Sequence, residues 1–280
     1  MAGNDRISRE WDAAGESWAD FVREGKDYYR EEMNNPAFFN VLGDIAGKWV
    51  LDLACGEGYN TRILARKGAE AVGVDFSENL IELAKQEENE ERHGITYLVL
   101  DAADMKELSN SQFDIVTCFM ALMDIEHYEE ALSEVSRVLN KNGIFVFSIP
   151  HPCFEWGKTE DAEEIAEWKY AEGKEGAQER IVLGLEVKRY FGISMIPVQW
   201  TNRVLRPFTT TSFHRTLTDY FQALYRNGFL VARLVEPKPT AKGVREYPSL
   251  RKHMKIPHSV IIEATKISTT IQDCLNRSKG

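Results

Sequence analysis

Short apolar runs alternate with amphipathic stretches through the first half of the chain. The runs at 49–54, 71–74, 95–100, 113–119 and 144–149 read as buried strands. Between them apolar residues recur at helical spacing: residues 79–91 place Leu80, Leu83 and Ala84 on one face, and residues 128–139 place Leu132, Val135, Val138 and Leu139 on one face. Four segments end alike, with Lys, His or Asn directly before Gly68, Gly94, Gly143 and Gly228. A basic or Asn last turn followed by glycine predicts a helix C-terminus, because a cation suits the dipole and glycine accepts the left-handed conformation beyond it. Helix, glycine and strand in repetition predict an α/β fold with a mostly parallel sheet. Two more strands are expected at 229–235 and 259–264, seven in all. Thr216 with Asp219 predicts a capping box opening the helix before the sixth.

Residues 150–215 break the pattern. They hold six acidic positions between Glu155 and Glu167 and many aromatics, among them Phe154, Trp156, Trp168, Tyr190, Trp200 and Phe213. Disordered segments are poor in aromatics, so this stretch reads as an ordered insertion. Ahead of the first strand, Trp11, Ala14, Trp18 and Phe21 or Val22 share one helical face. A length of 280 residues admits two domains or one enlarged domain, at roughly 150 residues per domain. The strand pattern favours one: a helical lid over 1–40, a cofactor core over 45–150, a substrate-covering insertion over 151–215, the rest of the sheet over 216–266 and a tail over 267–280.

Composition narrows the function classes. Hydrophobic residues make up 43% and charged residues 28%, enough apolar side chain for a sizeable core. No stretch approaches the ~18 apolar residues of a membrane span, and the N-terminus has no apolar leader, so a cytoplasmic protein without membrane attachment is expected. Cys55, Cys118, Cys153 and Cys274 are far apart with no CxxC pair, which points away from a zinc site or a disulfide framework. The net charge of −10 predicts no bulk attraction to nucleic acid. Residues 200–258 nevertheless hold eleven Lys and Arg against three Asp and Glu.

The strongest chemical signal is VLDLACGEG at residues 50–58, a strand leading into a glycine turn and then a helix near Asn60. Gly56 and Gly58 are expected to let the backbone approach a ligand at the carboxyl end of the sheet. The dinucleotide fingerprint GxGxxG is incomplete, and Asp52 before the turn would repel a pyrophosphate while suiting an ammonium or sulfonium charge. Asp75 ends the second strand, seventeen residues after Gly58, where an acidic residue accepts from ribose hydroxyls. Asp101 and Ala102 end the third strand, where a carboxylate can accept from an adenine amino group. Three acidic strand ends beside one glycine turn predict a nucleoside site.

VLDLACGEG, GVDFS (73–77), DAADM (101–105), FDIVTC (113–118) and RVLNKNGIFVFS (137–148) together resemble a class I S-adenosylmethionine-dependent methyltransferase over residues 45–150. The set is most similar to the small-molecule group that includes the ubiquinone and menaquinone biosynthesis enzymes. Ala54 stands where that family commonly has glycine. The resemblance implies a Rossmann-like sheet whose seventh strand is antiparallel beside the fifth. It implies that Ala54, Cys55, Gly56 and Gly58 hold the methionine part, that Asp75 holds the ribose, that Phe76 packs on the adenine, that Asp101 and Ala102 read its edge, and that Phe119 lies near the sulfonium. Tyr29 and Arg30, with Tyr28, would touch the cofactor from the lid, Arg30 at its carboxylate. SIPHPCF (148–154) and the later FHR (213–215) also resemble a bacterial and archaeal subset of uncharacterised methyltransferases.

A methyl acceptor is expected against the residues after strands four and five, namely Met120, Met123, Asp124, His127 and His151. His151, between Pro150 and Pro152, is the first candidate base and His214 the second. Asp124 and His127 are expected to cap a helix instead. Arg180, Lys188, Arg189, Arg203 and Arg206 are available for an acidic group on the acceptor, though most are expected to be solvated. The expected activity is methyl transfer from S-adenosylmethionine to a small molecule, with S-adenosylhomocysteine as product. The alternatives are an NAD-linked oxidoreductase, an RNA methyltransferase, supported only by the basic segment, and a non-catalytic S-adenosylmethionine-binding regulator.

Overall fold

Strands with Val, Leu, Ile and Phe on both faces must be covered on both sides, and this chain alternates them with helices that do so. The computed structural model describes residues 2–171, 181–192, 194–200 and 206–267. Arg180, Arg203, Cys274 and the tail from residue 268 lie outside the described residues. The chain opens with α1 (Ala2–Arg23), a π-helical turn (Arg30–Asn34) and α2 (Asn35–Leu42). There follow β1 (Trp49–Leu53), α3 (Tyr59–Arg66), β2 (Glu70–Asp75), α4 (Glu78–Glu90), β3 (Thr96–Val99), β4 (Phe113–Phe119), α5 (Tyr128–Val138) and β5 (Leu139–Pro150). The stretch after β5 carries β6 (Gly157–Lys158), β7 (Glu164–Tyr170), β8 (Val182–Val187), β9 (Met195–Trp200) and β10 (Phe208–Phe213). Then come α6 (Leu217–Arg226), β11 (Phe229–Val235), α7 (Ala241–Glu246) and β12 (Ser259–Lys266).

The main sheet has the order β11-β12-β5-β4-β1-β2-β3. β5, β4, β1, β2 and β3 run parallel, and β12 is antiparallel to both β5 and β11. This is the seven-stranded, mostly parallel sheet that the sequence pattern predicts, and it has the Rossmann-like form with an antiparallel last strand beside the fifth that the resemblance implies. Alternate residues serve opposite faces. Leu51, Phe145, Phe147 and Ile262 pack with Leu132, Val135, Tyr220 and Leu224 of α5 and α6. Val50, Ile115, Val146 and Ile261 pack with Phe38, Val41, Leu42 and Leu64 of α2 and α3. Each fully buried side chain of this size contributes about 1.5–3 kcal/mol relative to exposure. The chain leaves β1 toward β2 on one side and reaches β4 on the other, so a crevice opens at the carboxyl ends beside β1.

Gly68 and Gly228 directly follow the caps of α3 and α6, with φ of 90° and 79°, whereas Gly94 (φ 79°) lies four residues past the end of α4, whose last turn holds no basic residue. Thr216 and Asp219 form the capping box on α6. The fourth ending is corrected. α5 stops at Val138, Leu139 pairs directly with Phe113, and residues 140–143 form an irregularity inside β5 before Ile144 pairs with Ile115. Asn142, not Gly143, takes the left-handed conformation (φ 63°). Gly143 instead lets strands approach, since a Cβ there would lie 2.9 Å from the Leu139 side chain and 3.1 Å from the Asp114 carbonyl.

Residues 151–215 form two small antiparallel sheets, β6-β7-β8 and β9-β10. β10 docks on α1, where the Glu10 carboxylate accepts from Thr211 N (2.8 Å) and Thr211 Oγ1 (3.1 Å). Arg23 fastens the other end of α1 to the core by pairing with Glu57 (3.1 Å) and Glu87 (3.2 Å) and donating to the Leu83 carbonyl.

Candidate functional site

The crevice is a cavity of about 690 Å³. Of the predicted cofactor residues, Tyr29, Arg30, Asp52, Ala54, Cys55, Gly56, Asp75, Phe76, Asp101, Ala102 and Phe119 line it. Gly58 does not. Its φ is 83°, and a Cβ there would sit 2.4 Å from Tyr97 Oη, so Gly58 lets the loop rest on β3 and does not face a ligand. Gly56 has φ 57°, and a Cβ built on it would meet nothing within 4 Å. Ala54 adopts φ 53° without being glycine.

The carboxyls behind this loop are held by donors. Thr61 Oγ1 donates to Asp52 Oδ2 (2.6 Å) and Thr117 Oγ1 to Asp52 Oδ1 (2.9 Å). Asp75 takes Gly56 N on Oδ2 and Ser77 N on Oδ1, both at 2.9 Å. Burial pushes Asp52 up to about 7, against the pull of the two hydroxyls, and Asp75 adds to the rise. Burial likewise pushes Asp75 up to about 6, opposed by its backbone amides. Glu57 also lines the cavity; its Oε2 pairs with Arg62 (2.8 Å) and Arg23, while its Oε1 is buried without a partner among the described residues. Asp101 Oδ1 accepts from Ala103 N (2.9 Å). Buried carboxyls that hold protons too readily are relieved by a nearby positive charge. With the open face of Gly56 and the partnerless Glu57 oxygen, they fit a nucleoside that carries cationic groups. Arg30 stands at the same end, with its guanidinium 5.4 Å from the Trp18 ring and 5.5 Å from the Tyr59 ring, and pairs with Asp27 (3.5 Å).

The rest of the cavity is aromatic. Trp11, Trp18 and Phe21 of α1 line it with Trp156, Val198, Gln199 and Trp200 of the stretch after β5. Trp18 meets Trp11 and Trp200 edge-on at 5.7 and 5.0 Å. Phe119 at the end of β4 packs on Phe38 at 3.9 Å. Beyond it, Met120 (φ 49°) turns the chain, and Met120, Met123 and Asp124 face the cavity. The 3-10 turn Leu122–Asp124 is clamped by Arg215, which donates to the carbonyls of Leu122, Ile125 and Glu126 and lies 4.0 Å from the Tyr128 ring. Burial pushes Asp124 up to about 8, opposed by the Ser212 hydroxyl and Arg215. Neither Asp124 nor His127 caps α5 with its side chain, contrary to the sequence expectation.

His151 and His214 both lie off the cavity lining, so the two predicted bases are not brought to the site. His151 Nδ1 accepts from Cys153 N (3.2 Å) and Nε2 contacts Glu236 (3.1 Å), so its ring caps the turn after β5. His214 Nδ1 meets Glu155 at 2.5 Å and Nε2 meets the Tyr190 carbonyl at 3.1 Å, tying the two ends of the 151–215 stretch together. The cations of residues 200–258 are largely engaged within the molecule: Arg226 with Glu129, Arg233 with Glu263, Lys242 with Glu32, Arg245 with Glu246, and Lys252 over Trp156 and Trp168. Lys188 and Arg189 pair with Glu164 and Glu163.

A family profile described as a methyltransferase domain matches residues 51–147. A solved chain from Listeria monocytogenes, assigned to the S-adenosylmethionine-dependent methyltransferases, is 26% identical with a TM-score of 0.63, over 83% of this chain and 96% of its own. The chain carries a class I S-adenosylmethionine-dependent methyltransferase domain. Its cofactor is S-adenosylmethionine, in keeping with the cationic nucleoside that the cavity fits. This methyltransferase is also 26% identical over 220 residues to an uncharacterised Haemophilus influenzae protein, covering 74% of the chain and 77% of the relative. A ubiquinone biosynthesis O-methyltransferase from Methylococcus capsulatus is 29% identical over 111 residues, 40% of this chain and 47% of that enzyme. The methyltransferase thus matches about half the length of that quinone enzyme. No helix among the described residues is long and apolar enough to cross a membrane.

The Glu57–Arg62–Arg23 network and the cavity-lining Asn34, Asn35, Val198, Gln199 and His258 were not anticipated from the sequence. Glu57 carried a signal, an acidic residue inside the glycine turn with Arg62 one helical turn beyond. The others lie far along the chain from the motifs they face.

Proposed function

We propose that this methyltransferase moves the methyl group of S-adenosylmethionine to a small-molecule acceptor bound under α1 and β9, releasing S-adenosylhomocysteine. The observation that carries this reading is one cavity with two unlike halves, fixed carboxyls on one side and an aromatic enclosure on the other. Its volume lies within the roughly 300–1,000 Å³ of small-molecule sites. Asp75 holds the ribose hydroxyls, Phe76 covers the adenine and Asp101 with Ala102 reads its edge. Ala54, Cys55 and Gly56 line the methionine part, Arg30 faces its carboxylate, and Asp52 favours its positive charge through Thr61 and Thr117. The cofactor supplies a methyl group made electrophilic by the sulfonium. The protein's work is to align an acceptor with it in a dry site. The engaged state of the basic segment favours this reading over an RNA acceptor.

The test incubates the protein with methyl-labelled S-adenosylmethionine and, separately, a metabolite extract and bulk tRNA. Label in a small molecule is expected. Label in tRNA, or cofactor binding with no labelled product in either, overturns the proposal. His151→Ala is expected to leave turnover with saturating acceptor unchanged.

A further inference from the structure

We infer that Asp124 takes up the proton of the methyl acceptor, and hence that the acceptor is an uncharged aromatic molecule attacking through a hydroxyl or N–H group. This deepens the methyl-transfer reading and rests on it.

Asp124 belongs to the acceptor half of the cavity, four residues past Met120 on the turn leaving β4. The turn is rigid because Arg215 directs three hydrogen bonds to its carbonyl oxygens. Asp124 therefore lies near a guanidinium that is engaged with the backbone, and it shares the cavity lining with Met123, Trp11, Trp156, Val198 and Trp200. The charged groups that face it are Arg215 ahead of α6, Glu155 after β5 and Glu10 of α1, with the Ser212 hydroxyl from β10. The two acids and burial outweigh Arg215, so the carboxyl binds a proton far more strongly than a solvated Asp. That is the property of a proton acceptor matched to a phenolic or N–H donor. His151 and His214 have their ring nitrogens engaged outside the cavity, and His258, which lines it, is pushed down to about 3 by burial and holds a proton too weakly to compete.

The lining also limits the acceptor's charge. Its cations Lys26 and Arg30 are paired with Glu24 and Asp27, so an anionic acceptor meets no free positive side chain among the described residues. An uncharged ring stacks in the enclosure at little desolvation cost. The step balances without another reactant. The acceptor O–H or N–H proton passes to an Asp124 carboxylate oxygen, and the freed lone pair bonds to the methyl carbon. The electron pair of the broken S–C bond stays on sulfur. Asp124 ends neutral, as does the thioether, and solvent takes the proton afterwards.

The probe is 4-nitrophenol, whose phenolate is coloured, bound to the protein with S-adenosylhomocysteine and then with S-adenosylmethionine. Wild type is expected to turn the bound probe to phenolate as Asp124 ionises, with the signal and the methylation rate both rising as pH approaches about 8. Asp124→Asn is expected to remove the phenolate signal and slow transfer about 100-fold or more, with the S-adenosylmethionine Kd within about twofold. Asp124→Glu is expected to restore part of the signal. An Asn variant that keeps signal and rate, a Glu variant that restores nothing while both variants retain the wild-type Tm, or a wild type that does not bind the probe overturns the inference. Phenolate formation without methyl transfer leaves the proton step standing and overturns the methyl-transfer reading instead. Transfer indifferent to Asp124 does the reverse.

Discussion

The two halves of the cavity are built on different principles. In the cofactor half, polar groups are fixed before any ligand arrives: Asp52 by two threonine hydroxyls, Asp75 by two backbone amides, and the loop between them by left-handed residues at 54, 56 and 58. In the acceptor half, rings from α1 and β9 meet edge-on, and among its residues the carboxyl of Asp124 is the one acid whose binding of a proton is strengthened. A ligand that never changes rewards preorganised hydrogen bonds, since donors and acceptors set in place cost no reordering on binding. An aromatic enclosure specifies shape and dryness, and its specificity resides in few polar groups.

The largest effect should come from breaking the rigidity of the cofactor half. Gly58→Ala places a Cβ 2.4 Å from Tyr97 Oη at φ 83°. Left-handed strain of about 1–2 kcal/mol and overpacking of about 1–3 kcal/mol together lower stability by about 2–5 kcal/mol. Chemical denaturation measures it, and an unchanged midpoint would mean that Tyr97 moves aside freely. Next is Asp75→Asn, which removes a charged acceptor and is expected to weaken S-adenosylhomocysteine binding by about 1.5–3 kcal/mol, roughly 10- to 150-fold. Calorimetry that finds less than a threefold change would take Asp75 out of the cofactor contacts.

The pH response sharpens the same contrast. Asp52 and Asp75 titrate near 7 and 6 in the folded protein, above the ordinary value of about 3.9. The unfolded chain releases these protons first, so their contribution to stability is complete below pH 4 and is lost as pH rises through 6 and 7. A cationic ligand favours the ionised forms. S-adenosylmethionine should therefore bind more tightly as pH rises from about 5 to 7, by at most about tenfold per unit for each proton displaced. Asp52→Asn should flatten the upper part of that curve, and a flat wild-type curve counts against the charge pairing. On the acceptor side, Trp156→Ala, at a ring 46% exposed, should leave cofactor affinity and Tm unchanged and weaken acceptor binding by about 1 kcal/mol, or fivefold. A larger loss of cofactor affinity would show that the halves are not separate.

Legibility follows the same division. The strands and the cofactor half were readable because their signals are local: short apolar runs along β1, β4 and β5, and acidic residues at or just past successive strand ends. The Asn140–Gly143 segment misled because an Asn-Gly pair marks a helix end as readily as a chain irregularity, and only pairing of Leu139 with Phe113 decides between them. His151 had the marks of a base, an imidazole at a strand end between prolines, but the partner of its Nε2 is Glu236, 85 positions away. The meeting of Trp18 with Trp200 and the clamp from Arg215 to the turn of Asp124 are tertiary facts with no local pattern.

The smallest expected effect tests whether the cofactor loop is strained. Ala54 holds φ 53°, a conformation that disfavours any residue with a Cβ by about 1–2 kcal/mol, and its neighbours at 56 and 58 are glycines. Ala54→Gly removes that strain but gives the unfolded chain more freedom, a loss of about 0.4–1 kcal/mol. The difference predicts a net gain of about 0.5 kcal/mol, or roughly 1–2 °C in Tm. Cofactor affinity should stay within about twofold, because Asp75 still anchors the loop through Gly56 N. A variant that loses stability would mean that the Ala54 methyl group makes packing contacts worth more than the strain. A stabilised variant with markedly weaker cofactor binding would mean that the loop must be held stiff at residue 54 as well as at Gly56, and the preorganisation of this half would then extend one residue further toward β1.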